Sequence, residues 1–132
     1  MARGALVVAL LLCCGSLFAA EENTVLLSDL DIPLMPGFIE DEGSRVVFDT
    51  PEGRIIETRA TGPDSANAVL DYYRLVLPSL AWAEITEQGG AKSACNNAVA
   101  LCLLAERDEE ILIVKIKTLN AETTIYFSVN PK

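Results

Sequence analysis

Apolar and polar residues recur along this chain with two different periods, and the places where the period changes mark its elements. Ser44 to Asp49 and Arg54 to Thr61 are β-rich runs of period two. In the second, Ile56, Thr58 and Ala60 share one face, while Glu57 and Arg59 share the face expected to meet water. Thr50-Pro51-Glu52-Gly53 lies between them, with Pro and Gly where a tight turn places them, so the pair predicts a hairpin. Gly62-Pro63-Asp64-Ser65 then stops the strand and starts a helix, since Asp64 or Ser65 can accept from first-turn N–H groups that have no partner inside the helix. Ala66, Val69, Leu70, Tyr73, Val76, Leu77 and Leu80 follow at spacings of three and four, a single apolar stripe with Asn67, Asp71 and Arg74 off it. Pro78 ends or distorts this helix near Leu77, because its ring disfavours αR geometry in the preceding residue.

After the helix the period returns to two. Trp82 to Glu87 predicts a third strand, ended by Gly89-Gly90, and Ala91 to Ala98 is a polar loop. Val99 to Glu106 is almost wholly apolar, as a central strand covered on both sides would be, although a short buried helix gives the same run. Arg107-Asp108-Glu109-Glu110 is a charged turn. Ile111 to Thr118 places Leu112, Val114 and Ile116 inward and Lys115 and Lys117 outward. Leu119-Asn120-Ala121-Glu122 turns the chain again, and Thr123 to Asn130 buries Ile125, Phe127 and Val129 while Thr124, Tyr126 and Ser128 face the other way. The order is β-β-α-β-β-β-β, and the short links between the later strands predict an antiparallel meander. With one stripe on one helix to cover one face, the fold class is α+β: a two-layer domain over residues 44–132, an antiparallel β-sheet with one amphipathic helix packed on it.

The segments before this domain read differently. Arg3 and the apolar run Ala5 to Cys14, followed by small residues up to Ala20, have the n-region, h-region and cleavage pattern of a signal peptide over residues 1–20. Gly15-Ser16 interrupt the run too early for a membrane span of roughly 20 apolar residues. Residues 21–43 form an N-terminal arm with Pro33, Pro36 and Gly37 and no sustained period. Its many apolar residues predict that the part from Ile32 to Ile39 lies extended against the domain. Glu40-Asp41-Glu42-Gly43 reads as a solvated turn.

Removing the signal changes both charge and cysteine arithmetic. Of 132 residues 112 remain, enough for one core, with nine Lys and Arg against 19 Asp and Glu, a formal net charge of −10. Such acidity favours solubility and disfavours nucleic acid and anionic membrane as partners. Cys13 and Cys14 leave with the signal. Leu12 before Cys13 is a poor match to bacterial lipid attachment, so plain secretion, periplasmic or beyond, is expected, with no stable membrane anchor after cleavage. Cys95 and Cys102 remain as a candidate disulfide. Residues seven apart lie ~10 Å apart on a helix and over ~20 Å apart on a strand, whereas a disulfide needs Cα atoms within about 7 Å. Bonding therefore requires a reversal, for which Asn96-Asn97 is the candidate turn.

The chain contains no histidine, which removes the commonest general base, the histidine-dependent nucleophile systems and most zinc sites. Asp29/Asp31 and Glu40/Asp41/Glu42 are the nearest carboxylate pairs, but in turn-like segments they read as solvated acids. Neither group supplies a calcium-loop spacing, and Gly89-Gly90 lacks the pattern of a phosphate cradle. No catalytic residue, metal or cofactor is expected. Tyr72, Tyr73 and Trp82 are the candidate contact surface. Packing at the helix–sheet junction is the favoured role for these rings, and a shallow aromatic groove is the functional one.

The run Val69-Leu70-Asp71-Tyr72-Tyr73-Arg74, then Leu77-Pro78, then Leu80-Ala81-Trp82 resembles small exported bacterial proteins of unknown function. In that pattern a helix carrying YY or FY is followed by L-P and then by G-W opening a strand. Ala81 stands where the pattern has glycine. The resemblance spans under a fifth of the chain, implies a fold more than an activity, and carries over no catalytic residue. The expected function is an exported, non-catalytic binding or accessory module of the bacterial envelope, with a protein as partner. The alternatives are a carrier of a small apolar ligand held between helix and sheet and, less favoured, a histidine-free hydrolase.

Overall fold

The computed structural model describes residues 24–85, 95 and 100–132. It contains β1 (Ile39–Glu40), β2 (Val46–Thr50), β3 (Gly53–Gly62), α1 (Ala66–Val76), β4 (Ala83–Glu84), β5 (Leu101–Arg107), β6 (Glu110–Leu119) and β7 (Glu122–Pro131). These make one antiparallel sheet in the order β1-β3-β7-β6-β5-β4, with β2 lying beside β3 on the same edge as β1. α1 packs on one face, so the architecture is α+β with an open sheet. The signal segment, the loop residues Lys92 and Asn96-Asn97, and Thr86 to Gly90 lie outside the described residues.

Local chemistry accounts for the elements. Ser65 caps α1, its Oγ accepting from Ala68 N–H at 3.2 Å. The helix runs to Val76 and tightens into a 3-10 turn at Leu77–Leu80, where Pro78 falls. Ala81 then closes that turn in the left-handed region, at φ 64°. Left-handed geometry is what favours glycine, which explains the glycine of the resembled pattern at this position.

Two expectations need correction, and one gains a further pairing. The arm does lie against the domain from Ile32 to Ile39, but it turns at Pro36-Gly37 instead of staying extended, and its burial begins earlier, at Leu27. Leu27, Leu30, Ile32, Leu34 and Phe38 are all buried in the core, a bridge joins Leu26 to Pro33, and the arm ends as strand β1 of the sheet. The strands after the helix do form a meander, but β7 goes on to pair with β3 from Ile56↔Val129 to Gly62↔Thr123, so the final strand sits centrally. β5 is covered on one face only: Leu103 and Ala105 are buried, whereas Leu104 on the other face is half-exposed.

The covered face is continuous. Ile56 and Ala60 of β3, Ile125, Phe127 and Val129 of β7, Leu112, Val114 and Ile116 of β6, and Leu103 and Ala105 of β5 meet Val69, Tyr73 and Leu77 of the helix. Tyr73 is the hub. Its ring stands edge-on to Phe127 (5.4 Å) and Tyr72 (5.0 Å). Its hydroxyl donates to Pro33 C=O at 3.1 Å and accepts from Met35 N–H at 3.3 Å, tying arm, helix and sheet together. Burial pushes the Tyr73 phenol well above its ordinary pKa. Phe38 of the arm stacks on Gly62, where an added Cβ would stand 2.6 Å from the ring. Glu40 fastens the arm from the other side, accepting from Ser28 N–H, Ser28 Oγ and Thr58 Oγ1.

Candidate functional site

The residues proposed as a contact surface do not form one. Tyr73 is fully buried and Trp82 is 2% exposed, because both fill the layer between helix and sheet. The Arg107 guanidinium lies 4.3 Å over the Trp82 ring, while Trp82 Nε1–H finds no acceptor among the described residues. Tyr72 alone reaches the surface, where it lines a groove of about 440 Å³ with Val25, Leu34, Met35 and Phe38. The other half of the expectation holds: Cys95 and Cys102 are disulfide-bonded, with Cα atoms 5.5 Å apart. The turn suggested between them lies outside the described residues.

The larger groove, about 630 Å³, is on the face of the sheet that no helix covers. Strand alternation dictates its lining: when Thr58, Phe127 and Val114 point to the core, Arg59, Tyr126 and Lys115 point away. The register then brings them side by side. Arg59 pairs with Tyr126, Tyr126 with Lys115, and Lys115 with Cys102, a row across four strands ending at the disulfide. Lys117 lies two residues along β6 with its Nζ 5.7 Å from the Tyr126 ring centroid. Ser128, Asn130, Ile113, Glu57 and Ser44 also line the groove.

The electrostatics of this face are unusual for so acidic a chain. Of the eight described Lys and Arg residues, Arg45, Arg54, Arg59, Arg74, Arg107 and Lys132 sit in ion pairs, and Lys115 and Lys117 have no carboxylate partner. Arg59 is held by Asp41 through Nε at 2.8 Å and through Nη2. That guanidinium keeps the Asp41 carboxyl below its usual pKa range, so the pair is charged at neutral pH. The face therefore offers two ammonium groups without an ion-pair partner, a half-exposed tyrosine ring, and serine and asparagine side chains, against one carboxylate, Glu57. That inventory suits an anionic group carried by a larger partner.

Sequence reasoning put Lys115, Lys117 and Tyr126 on outward faces but did not join them. Alternation along each strand carries the direction of a side chain, whereas the row depends on β3 lying beside β7, a pairing between distant segments. Among the described residues no cluster of His, Cys, Asp and Glu is placed to hold a metal ion, and no helix is long and apolar enough to cross a membrane. Comparisons with family models, curated proteins and solved structures find no match to this chain.

Proposed function

We propose that this protein is an exported, non-catalytic binding module of the bacterial envelope, and that the open face of its sheet is where it meets its partner. The observation that carries this reading is the pairing pattern of the cations. Six described cations are neutralised locally, while Lys115 and Lys117 stand unpaired beside Tyr126 in the groove. A chain with this excess of acid draws an anionic partner to one place only if that place keeps its positive charge free. The chemistry that fits is an acidic segment of a protein, its carboxylates on the two ammonium groups and its backbone against Ser128 and Asn130.

The test is a titration of the isotopically labelled protein with an oligoglutamate peptide at low salt, followed by NMR. Shifts should be confined to β6 and β7 around Lys115, Lys117, Tyr126 and Ser128, and should vanish in the K115Q/K117Q double variant. Shifts scattered over the surface, or unchanged in that variant, would remove the support for this reading.

A carrier of small apolar ligands is the second reading. Tyr73, Trp82 and Phe127 occupy the layer between helix and sheet, so such a ligand has the arm groove beside Tyr72 and Met35 to bind. Native mass spectrometry separates the two readings, since a carrier purified gently shows mass beyond that of the chain.

A further inference from the structure

The free edge formed by β2 carries a partner preference of its own. Among the described residues no strand lies outside β2, yet Val46, Val47 and Phe48 are 37%, 46% and 60% exposed there. Unpaired edges with apolar side chains attract other strands, and natural proteins place charges on them to control which strand is accepted.

The direction of the backbone is fixed by Arg59. Its N–H donates to Ser44 Oγ at 3.0 Å and its C=O accepts from Asp41 N–H at 2.9 Å, so its backbone faces the edge on which β1 and β2 lie. Alternation turns Glu57, Ile55 and Gly53 the same way, and their register partners Val46, Phe48 and Thr50 point back at them. Val47 and Asp49 consequently direct both N–H and C=O to the free edge. Arg45 directs its C=O there, its N–H being taken by Glu42 C=O at 3.4 Å.

The sequence along this edge, Arg45-Val46-Val47-Phe48-Asp49, is complementary to itself when reversed. An antiparallel two-fold centred on Val47 sets Val47 against Val47 of a second copy in the hydrogen-bonded position, where each donates to the other. Asp49 N–H of each copy then meets Arg45 C=O of the other. The same register puts each Arg45 side chain opposite an Asp49 carboxylate, and each Val46 opposite a Phe48 on the open face. Sliding the register by two residues sets Phe48 against Phe48 and loses both charge pairs. In the monomer Asp49 has no ion pair, and Arg45 has the exposed Asp29 at 3.4 Å.

We propose that β2 is a homodimerisation edge and that its occupant is β2 of a second copy in the Val47-centred register. The proposal does not depend on what the open face binds. Its two-fold axis is perpendicular to the sheet, so the two sheets join into one and both open faces look the same way. An acidic chain repels its own copies, and the two Arg45–Asp49 pairs supply the local attraction that offsets this at one place.

The test is sedimentation equilibrium of the protein as purified from cells, from micromolar to millimolar concentration. A monomer–dimer equilibrium is expected. R45D and D49R each set like charges opposite one another and should weaken the dimer about tenfold or more. Mixing R45D with D49R should restore it, because the edge of one copy is then acidic at both of these positions and the edge of the other is basic at both. V47P removes the two central donors without touching the β2–β3 ladder and should leave a monomer whose circular dichroism matches the parent. A monomer at every concentration, as expected if the edge serves a different protein, overturns the proposal. So does a dimer indifferent to the charge reversals, or variants that fail to recover on mixing.

Discussion

The two faces of the sheet share the same strands and differ in what their side chains touch. On the covered face every position of β7 from Thr123 to Val129 that points inward is buried, and its neighbours come from the arm, the helix and the adjoining strands. On the open face Thr124, Tyr126, Ser128 and Asn130 alternate with those residues and touch cross-strand partners and solvent. Neighbouring residues on one strand thus differ in their work: the inward ones hold the fold, and the outward ones are, on the function proposed above, those left to meet a partner. On that proposal a shift of one residue separates stability from recognition.

The largest effect should come from comparing two such neighbours. Phe127→Ala removes a fully buried ring in contact with Tyr73 and should cost about 3–5 kcal/mol in urea denaturation. Tyr126→Ala, one residue earlier and 39% exposed, should cost under about 1 kcal/mol. Equal losses would abolish the distinction between the faces. Next is Gly62→Ala, which drives a methyl into the Phe38 ring and should destabilise by about 1–3 kcal/mol. Because Phe38 belongs to the arm, limited proteolysis should cut residues 24–40 sooner in this variant.

Tyr73→Phe should cost roughly 1–2 kcal/mol by leaving Pro33 C=O and Met35 N–H without their partner. It also has a signature in pH. The buried phenol stays protonated in the folded protein when its unfolded counterpart ionises at about 10, so the unfolded state binds fewer protons above that pH. Stability contributed by Tyr73 is therefore full below pH ~10 and falls as pH rises toward the folded value. Thermal melts between neutral and strongly alkaline pH should show this decline in the parent and a shallower one in Tyr73→Phe. The smallest effect is a gain. Asn120 and Ala121 turn the β6–β7 hairpin with φ of 51° and 62°, the geometry that favours Asn-Gly. Ala121→Gly should raise stability by about 0.5–1 kcal/mol, and no gain in melting temperature would show that the turn is not strained by its alanine.

Periodicity made much of this fold legible. The helix stripe from Ala66 to Leu80, the hairpin turn at Pro51-Glu52, and the inward sets Leu112, Val114, Ile116 and Ile125, Phe127, Val129 are local patterns, and the side chains lie where those patterns put them. The arm was harder to read because its buried residues, Leu27, Leu30, Ile32, Leu34 and Phe38, are spaced by turns and prolines rather than by a repeat. Tyr73 and Trp82 left two roles open, packing being the favoured one, because large rings with a polar atom suit a core and a binding surface equally well. Burial, which depends on segments distant in sequence, decides between the two. The cation row was invisible for the same reason: no local pattern says that β3 lies against β7.

That pairing has a consequence for timing. Of the described strands, β7 comes last in the chain and pairs the first hairpin with the meander, through contacts between residues as far apart as Ile56 and Val129. A chain that stops short of Glu122 lacks the strand that pairs with both β3 and β6, and with it the inward side chains Ile125, Phe127 and Val129. Closure over so long a span is slow compared with local folding, because the ends must meet before the contacts reward them. A polypeptide still being synthesised is thus held short of this sheet until the ten residues of β7 are available. A molecule threaded unfolded across a membrane would arrive with its core still unmade.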